Sequence, residues 1–133
     1  MTATADWDEL RKVALDVRAH AHAPYSGFRV GAALLAVDGR VFVGVNVENA
    51  SYGLTQCAER AAITAAVAAG ARRFIGIAIV TDAKQPTPPC GACRQVLQEF
   101  PPAFQVRSYT TEGAVHCDTT DALLPGAFGP GSM

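Results

Sequence analysis

Apolar residues recur at Trp7, Leu10, Val13, Ala14, Val17 and Ala21, the three- and four-residue spacing of one helix face. Asp6 ahead of Glu9 has the spacing of a capping box, and Pro24 closes the pattern, so an amphipathic helix is expected before Pro24. From Phe28 the period shortens to two, through Val30, Ala32 and Leu34. Asp38-Gly39 then supplies a tight turn, and Val41, Val43 and Val45 resume the alternation, which predicts a β-hairpin. Residues 58–69 favour a helix, and their small apolar side chains lie nearly all round it, so burial on several sides is expected. Residues 74–80 are almost uninterruptedly apolar, as in a central strand covered on both faces. A Pro-rich loop at 85–89 leads into a helix from Cys90 to about Phe100. Two short strands, 104–109 and 114–117, and a last turn at 121–124 complete the chain. This order predicts an α/β fold, a three-layer α/β/α domain on a mixed five-stranded sheet. No internal repeat breaks it, so residues 1–133 read as a single domain with 129–133 as a frayed tail.

Half of the 133 residues are hydrophobic, enough for one well-buried core. Eleven basic residues against twelve acidic ones give a net charge of -1, and no basic stripe follows a phosphate backbone, so no nucleic-acid partner is expected. Charged residues make up only 17% of the chain, below the usual quarter or so, which points to self-association. The first dozen residues hold three acids and no apolar core, and Thr64 and Gly70 interrupt the longest apolar tract. No secretory or membrane-spanning segment is therefore expected, and the location is expected to be cytoplasmic. In that reducing compartment Cys57, Cys90, Cys93 and Cys117 read as ligands, catalysts or core thiols rather than disulfides.

Pro89-Cys90-Gly91-Ala92-Cys93 places two thiols three residues apart at a helix start, where the dipole favours thiolate. Cys57 opens another helix, with Glu59 two residues on. Three thiolates from two helix N-termini can hold Zn²⁺ and leave the fourth position open, the catalytic arrangement. Zinc deaminases share the pattern of one ligand, a non-ligating Glu two residues later, and then P-C-x-x-C. A thioredoxin-like dithiol at Cys90 and Cys93 is a rival reading that leaves Cys57 and Glu59 without a role. A structural zinc knot, the core of a non-enzymatic interaction module, would need Cys117 or His116 as fourth ligand. In a strand those two read as a core thiol and a surface imidazole. His20 and His22 read as residues at the end of the first helix, facing its dipole.

With these residues in place the sequence resembles the cytidine deaminases, specifically the small homotetrameric kind with three Cys ligands. The resemblance runs through Pro24-Tyr25-Ser26-Gly27-Phe28-Arg29-Val30-Gly31-Ala32-Ala33, Asn46-Val47-Glu48-Asn49-Ala50-Ser51-Tyr52-Gly53, Cys57-Ala58-Glu59-Arg60, Pro89 to Leu97, and Leu123-Leu124-Pro125-Gly126-Ala127-Phe128. It implies one Zn²⁺ per chain on Cys57, Cys90 and Cys93, with Glu59 as the catalytic proton carrier. It also implies Arg60 hydrogen bonded to the sulfurs, Phe28 stacked on the pyrimidine, Asn46 and Glu48 on the ribose, and the Ala58 backbone at the exocyclic amine. Tyr52 and Phe128 are implied to reach a neighbouring subunit's site in a homotetramer with shared active sites. The activity implied is hydrolytic deamination of cytidine and deoxycytidine to uridine and deoxyuridine plus ammonia, in pyrimidine salvage. On the residues alone, Asn46 and Glu48 are equally ordinary strand-end polar groups and Phe28 a core aromatic.

Overall fold

Asp6 caps the first helix of the computed structural model, which describes residues 2–133: its carboxylate accepts a hydrogen bond from Glu9 N–H at 3.2 Å. The helix, α1 (Trp7–Arg18), packs on one face of a sheet made of β1 (Val30–Ala36), β2 (Val41–Val45), β3 (Phe74–Thr81), β4 (Gln105–Thr110) and β5 (Val115–Thr119). On the other face lie α2 (Ala58–Ala68) and α3 (Gly91–Gln98), and a short α4 (Thr120–Leu123) follows β5. The strand order is β2-β1-β3-β4-β5. All pairings are antiparallel except β3 with β4. The expected three-layer domain on a mixed sheet of five strands is the observed architecture, with β3 at its centre.

Alternation along β1 and β3 divides the core. Ala32, Leu34, Ile77 and Ile79 face α2 and α3 with Ala62, Ile63, Ala66 and Leu97, while Ala33, Leu35, Ala78 and Val80 face Leu10 and Ala14 of α1. Glycines in the strands let the helices sit close. A Cβ on Gly31 would stand 2.1 Å from the Ala14 carbonyl oxygen, and one on Gly76 would meet the Trp7 ring at 2.4 Å. Both approaches belong to α1 and fix how deeply that helix is seated on the sheet.

Some expectations need correction. The first helix ends at Arg18, short of Ala21, because His20 and Ala21 N–H groups turn back to the Val17 and Arg18 carbonyls three residues earlier. His22 leaves the helix altogether: its N–H donates to the Asn46 carbonyl at 3.0 Å and its carbonyl accepts from Glu48 N–H at 2.8 Å. Within one chain α2 is buried on one side only, through Ala58, Glu59, Ala62, Ile63 and Ala66, while Thr64, Ala65 and Ala68 are exposed. Cys117 is exposed on the edge strand β5 rather than in the core. Within the tail, Pro130–Ser132 form an exposed 3-10 turn, in which Ser132 N–H donates to the Gly129 carbonyl at 2.8 Å.

Candidate active site

The site forms where two helices begin. Cys57 is the N-cap of α2 and Cys90 the N-cap of α3, both in extended backbone conformation. Cys93 lies in the first turn of α3 and is fully buried. Their sulfurs all lie within 4.8 Å of one another, with Cys57 Sγ and Cys90 Sγ 3.9 Å apart and no disulfide formed. Cys117 and His116 have no part in this cluster. Two helix N-termini thus aim their positive ends at one group of soft donors.

The electrostatics follow from the packing. Hydrogen bonding from Cys93, joined by the Arg60 guanidinium, brings the Cys57 thiol down to about 5, while Cys93, bonded to Cys57 and buried, is pushed up. Arg60 Nη2 donates to Cys57 Sγ at 3.5 Å and to the Thr55 carbonyl at 3.4 Å, so the expected contact between Arg60 and a sulfur is present. Glu59 is only 6% exposed, and burial pushes its carboxyl up to about 7. A carboxyl poised there can hold or release a proton near neutral pH.

A cavity of about 520 Å³ opens onto the cluster, lined by Phe28, Asn46, Cys57, Ala58, Glu59 and Cys90 among others. Six of the residues singled out from the sequence are therefore brought together, and Cys93 lies directly behind. Glu48 is not among the lining residues. It borders an adjoining pocket of about 410 Å³ with Tyr25, Ser26 and Tyr52, and Thr55 lines both spaces. Glu48 accepts from Tyr25 N–H at 3.0 Å, Ser26 N–H at 3.1 Å and the Ser26 hydroxyl, which keep its carboxyl below the usual range, the hydroxyl most. Ser26 Oγ in turn accepts from Phe28 N–H at 3.0 Å. Asn46, by contrast buried, donates from Nδ2 to the Phe28 carbonyl at 2.7 Å and accepts at Oδ1 from Val30 N–H at 2.9 Å.

Tyr52 and Phe128 do not reach the cavity of their own chain. Tyr52 is 74% exposed with its ring edge-on to Tyr25 at 5.9 Å, and Phe128 is 62% exposed. Sequence reasoning missed Arg94, which lines the cavity and donates from Nε to the Pro89 carbonyl at 2.7 Å and from Nη1 to the Leu123 carbonyl at 3.0 Å. The signal available was a cation set close to a helix N-terminus, where the dipole gives it nothing.

The model of the "cytidine and deoxycytidylate deaminase zinc-binding region" matches residues 5–106. A cytidine deaminase of Halalkalibacterium halodurans is 52% identical over 124 residues, spanning 92% of this chain and 94% of the relative. Among solved structures, a cytidine deaminase from Burkholderia pseudomallei is 48% identical with a TM-score of 0.90, over 94% of this chain and all of that one. One from Mycobacterium tuberculosis is 43% identical with a TM-score of 0.81, over 95% of this chain and 99% of the other.

Proposed function

The chain belongs to the cytidine and deoxycytidylate deaminase family, and from that premise we propose how its residues divide the work of a zinc-dependent cytidine deaminase. The overall reaction replaces the amine at C4 of cytidine by oxygen from water, releasing ammonia and uridine. The observation that carries the assignment of roles is Glu59, a buried carboxyl beside three converging thiols at the wall of one cavity.

The donor set fits the metal. Three sulfurs within reach of one ion, with no fourth ligand beside them among the described residues, make an open site of the kind catalytic zinc occupies. Cys57, Cys90 and Cys93 would hold it, one per chain; when bound, zinc supplies the Lewis acidity that makes water a nucleophile near neutral pH. Three thiolates around a dication leave one net negative charge, which the Arg60 guanidinium at Cys57 offsets.

Glu59 accepts a proton from the attacking water and delivers it to N3 of the pyrimidine, then takes the remaining proton of the added hydroxyl and delivers it to the departing amine, and so ends as it began. Phe28 stacks on the base, and the buried Ala58 backbone meets the exocyclic amine. Asn46 spends one N–H and one lone pair on the Phe28–Val30 backbone, so one of each remains for a sugar hydroxyl. With the base in the larger cavity, the sugar lies past Thr55 towards Glu48, which suits a free nucleoside, cytidine or deoxycytidine.

The same reading places the enzyme in the cytoplasm, in pyrimidine salvage, as one domain over residues 1–133 that assembles into a homotetramer. Tyr52 and Phe128 then complete a neighbour's pocket. In support, both are exposed, and Val41, Val43 and Leu54 add apolar surface to the same chain. Among the described residues no helix is long and apolar enough to cross a membrane. The deciding experiment is the absorbance change of cytidine on conversion to uridine by purified protein of measured zinc content. Turnover that rises with zinc is expected, and a zinc-loaded protein inert towards cytidine would overturn the reading.

A further inference from the structure

Cys90 is held from both sides. On one side the helix holds it, through the ordinary bond from the Arg94 backbone N–H to the Cys90 carbonyl at 3.0 Å, and on the other the Arg94 side chain does, its Nε donating to the Pro89 carbonyl at 2.7 Å. The Pro89 carbonyl belongs to the peptide that enters Cys90 and the Cys90 carbonyl to the peptide that leaves it. Peptide planes are rigid, so fixing the two planes that meet at one Cα fixes the residue between them. Cys90 accordingly sits at φ -64 and ψ 167, the extended N-cap conformation from which its sulfur meets Cys57.

The other arm of the guanidinium fork extends this grip. Arg94 Nη1 donates to the Leu123 carbonyl at 3.0 Å, at the end of α4, and the adjacent Gln95 Nε2 donates to the Phe128 carbonyl at 2.7 Å. The start of α3 thus carries two sulfurs and also anchors the C-terminal segment. A planar guanidinium can serve two carbonyls in different directions at once, which a Lys ammonium on a flexible stem does less well.

We propose that Arg94 is a positioning residue for the metal centre: its guanidinium clamps the peptide that enters Cys90, the helix already holding the peptide that leaves it, and ties that clamp to the C-terminal segment at Leu123. The proposal rests on Cys90 as a zinc ligand. Groups that orient a ligand from outside the coordination sphere usually cost 10- to 100-fold in metal affinity when removed, so the effect belongs in metal retention and not only in turnover.

The test measures zinc transfer from the loaded, full-length enzyme to a colorimetric chelator, together with hydrogen exchange of the amides in residues 124–128. Arg94→Met should release zinc about 10- to 100-fold faster and speed exchange in that segment. Arg94→Lys, with one donor point in place of a fork, should fall between it and the unaltered enzyme. Gln95→Ala removes only the Phe128 contact, so it should speed exchange near Phe128 and leave zinc release as it was. Unchanged release from Arg94→Met would overturn the proposal, as would Gln95→Ala releasing zinc equally fast. Should Arg94→Met fail to fold, Arg94→Lys carries the same comparison, and unchanged release from it is equally fatal. Cys90→Ser separates the premise from the proposal: if it keeps its zinc, the ligand reading itself falls.

Discussion

Gly44 of β2 lies against the Ala58 carbonyl so closely that a Cβ on it would stand 2.3 Å from that oxygen and 2.5 Å from Ala62 N. Both are backbone atoms of α2, so relief requires moving the helix that begins at Cys57. Gly44→Ala should therefore cost about 1–3 kcal/mol of stability, seen in the denaturant midpoint, and should release zinc faster than the unaltered enzyme. Gly53 is the control, since a Cβ added there would meet nothing within 4 Å and its φ is not positive; Gly53→Ala should change neither.

Replacing Cys57, Cys90 or Cys93 by Ala should abolish both zinc binding and deamination, because a site of three ligands keeps too few donors after losing one. Cys117→Ala should retain its metal, since Cys117 lies exposed on β5 away from the cluster. Metal analysis after dialysis checks both statements.

Glu59→Gln preserves the shape of the pocket and removes the proposed proton carrier. Turnover should fall by about 10²- to 10⁴-fold with zinc content intact. Near-normal turnover would reduce Glu59 to a structural acid.

On the proposed sugar contacts, Asn46→Ala and Glu48→Ala should impair cytidine turnover with little loss of zinc, because a sugar hydroxyl and its partner lose one hydrogen bond together. Free cytosine should be a poor substrate for the unaltered enzyme. Equal turnover of cytosine and cytidine would remove the sugar-binding role.

A chain ending at Pro125 lacks Phe128, and a Glu59→Gln chain lacks the proton carrier. If Phe128 finishes a neighbour's pocket, tetramers containing both chains should exceed the summed activities of the two pure assemblies. Light scattering fixes the size of the assemblies being assayed; tetramers without recovery would mean that each chain builds its site alone.

Periodicity over 7–17, 30–45 and 74–80 was enough to read the layers and the central strand, because burial of a face is written in nearest-neighbour spacing. The sulfur cluster was legible for a similar reason: Cys57 and Cys90 each open a helix, and helix starts carry local signals. Contacts made by side chains across the fold were not. Asn46 bonds Phe28 and Val30 across 18 and 16 residues, and Arg94 bonds Leu123 across 29. The end of α1 was misjudged because pairing of His22 with Asn46 and Glu48 competes with one more helical turn, and that partner lies on a distant segment. The Ala65 and Ala68 face of α2 is exposed where burial on several sides is expected from sequence, because composition alone does not distinguish core from apolar surface.

Cys57 and Cys90 are 33 positions apart in the chain and 3.9 Å apart at their sulfurs. The stretch between them holds the rest of α2, all of β3 and the Pro-rich loop, so an ion bound at both ends closes the middle of the sheet into a ring, much as a disulfide would. The staple is reversible and obeys mass action: each tenfold excess of free zinc over its dissociation constant adds about 1.4 kcal/mol to the folded state. Heat resistance in this enzyme is thereby coupled to metal supply, and a cell that starves it of zinc loosens the central strand as well as stopping the reaction.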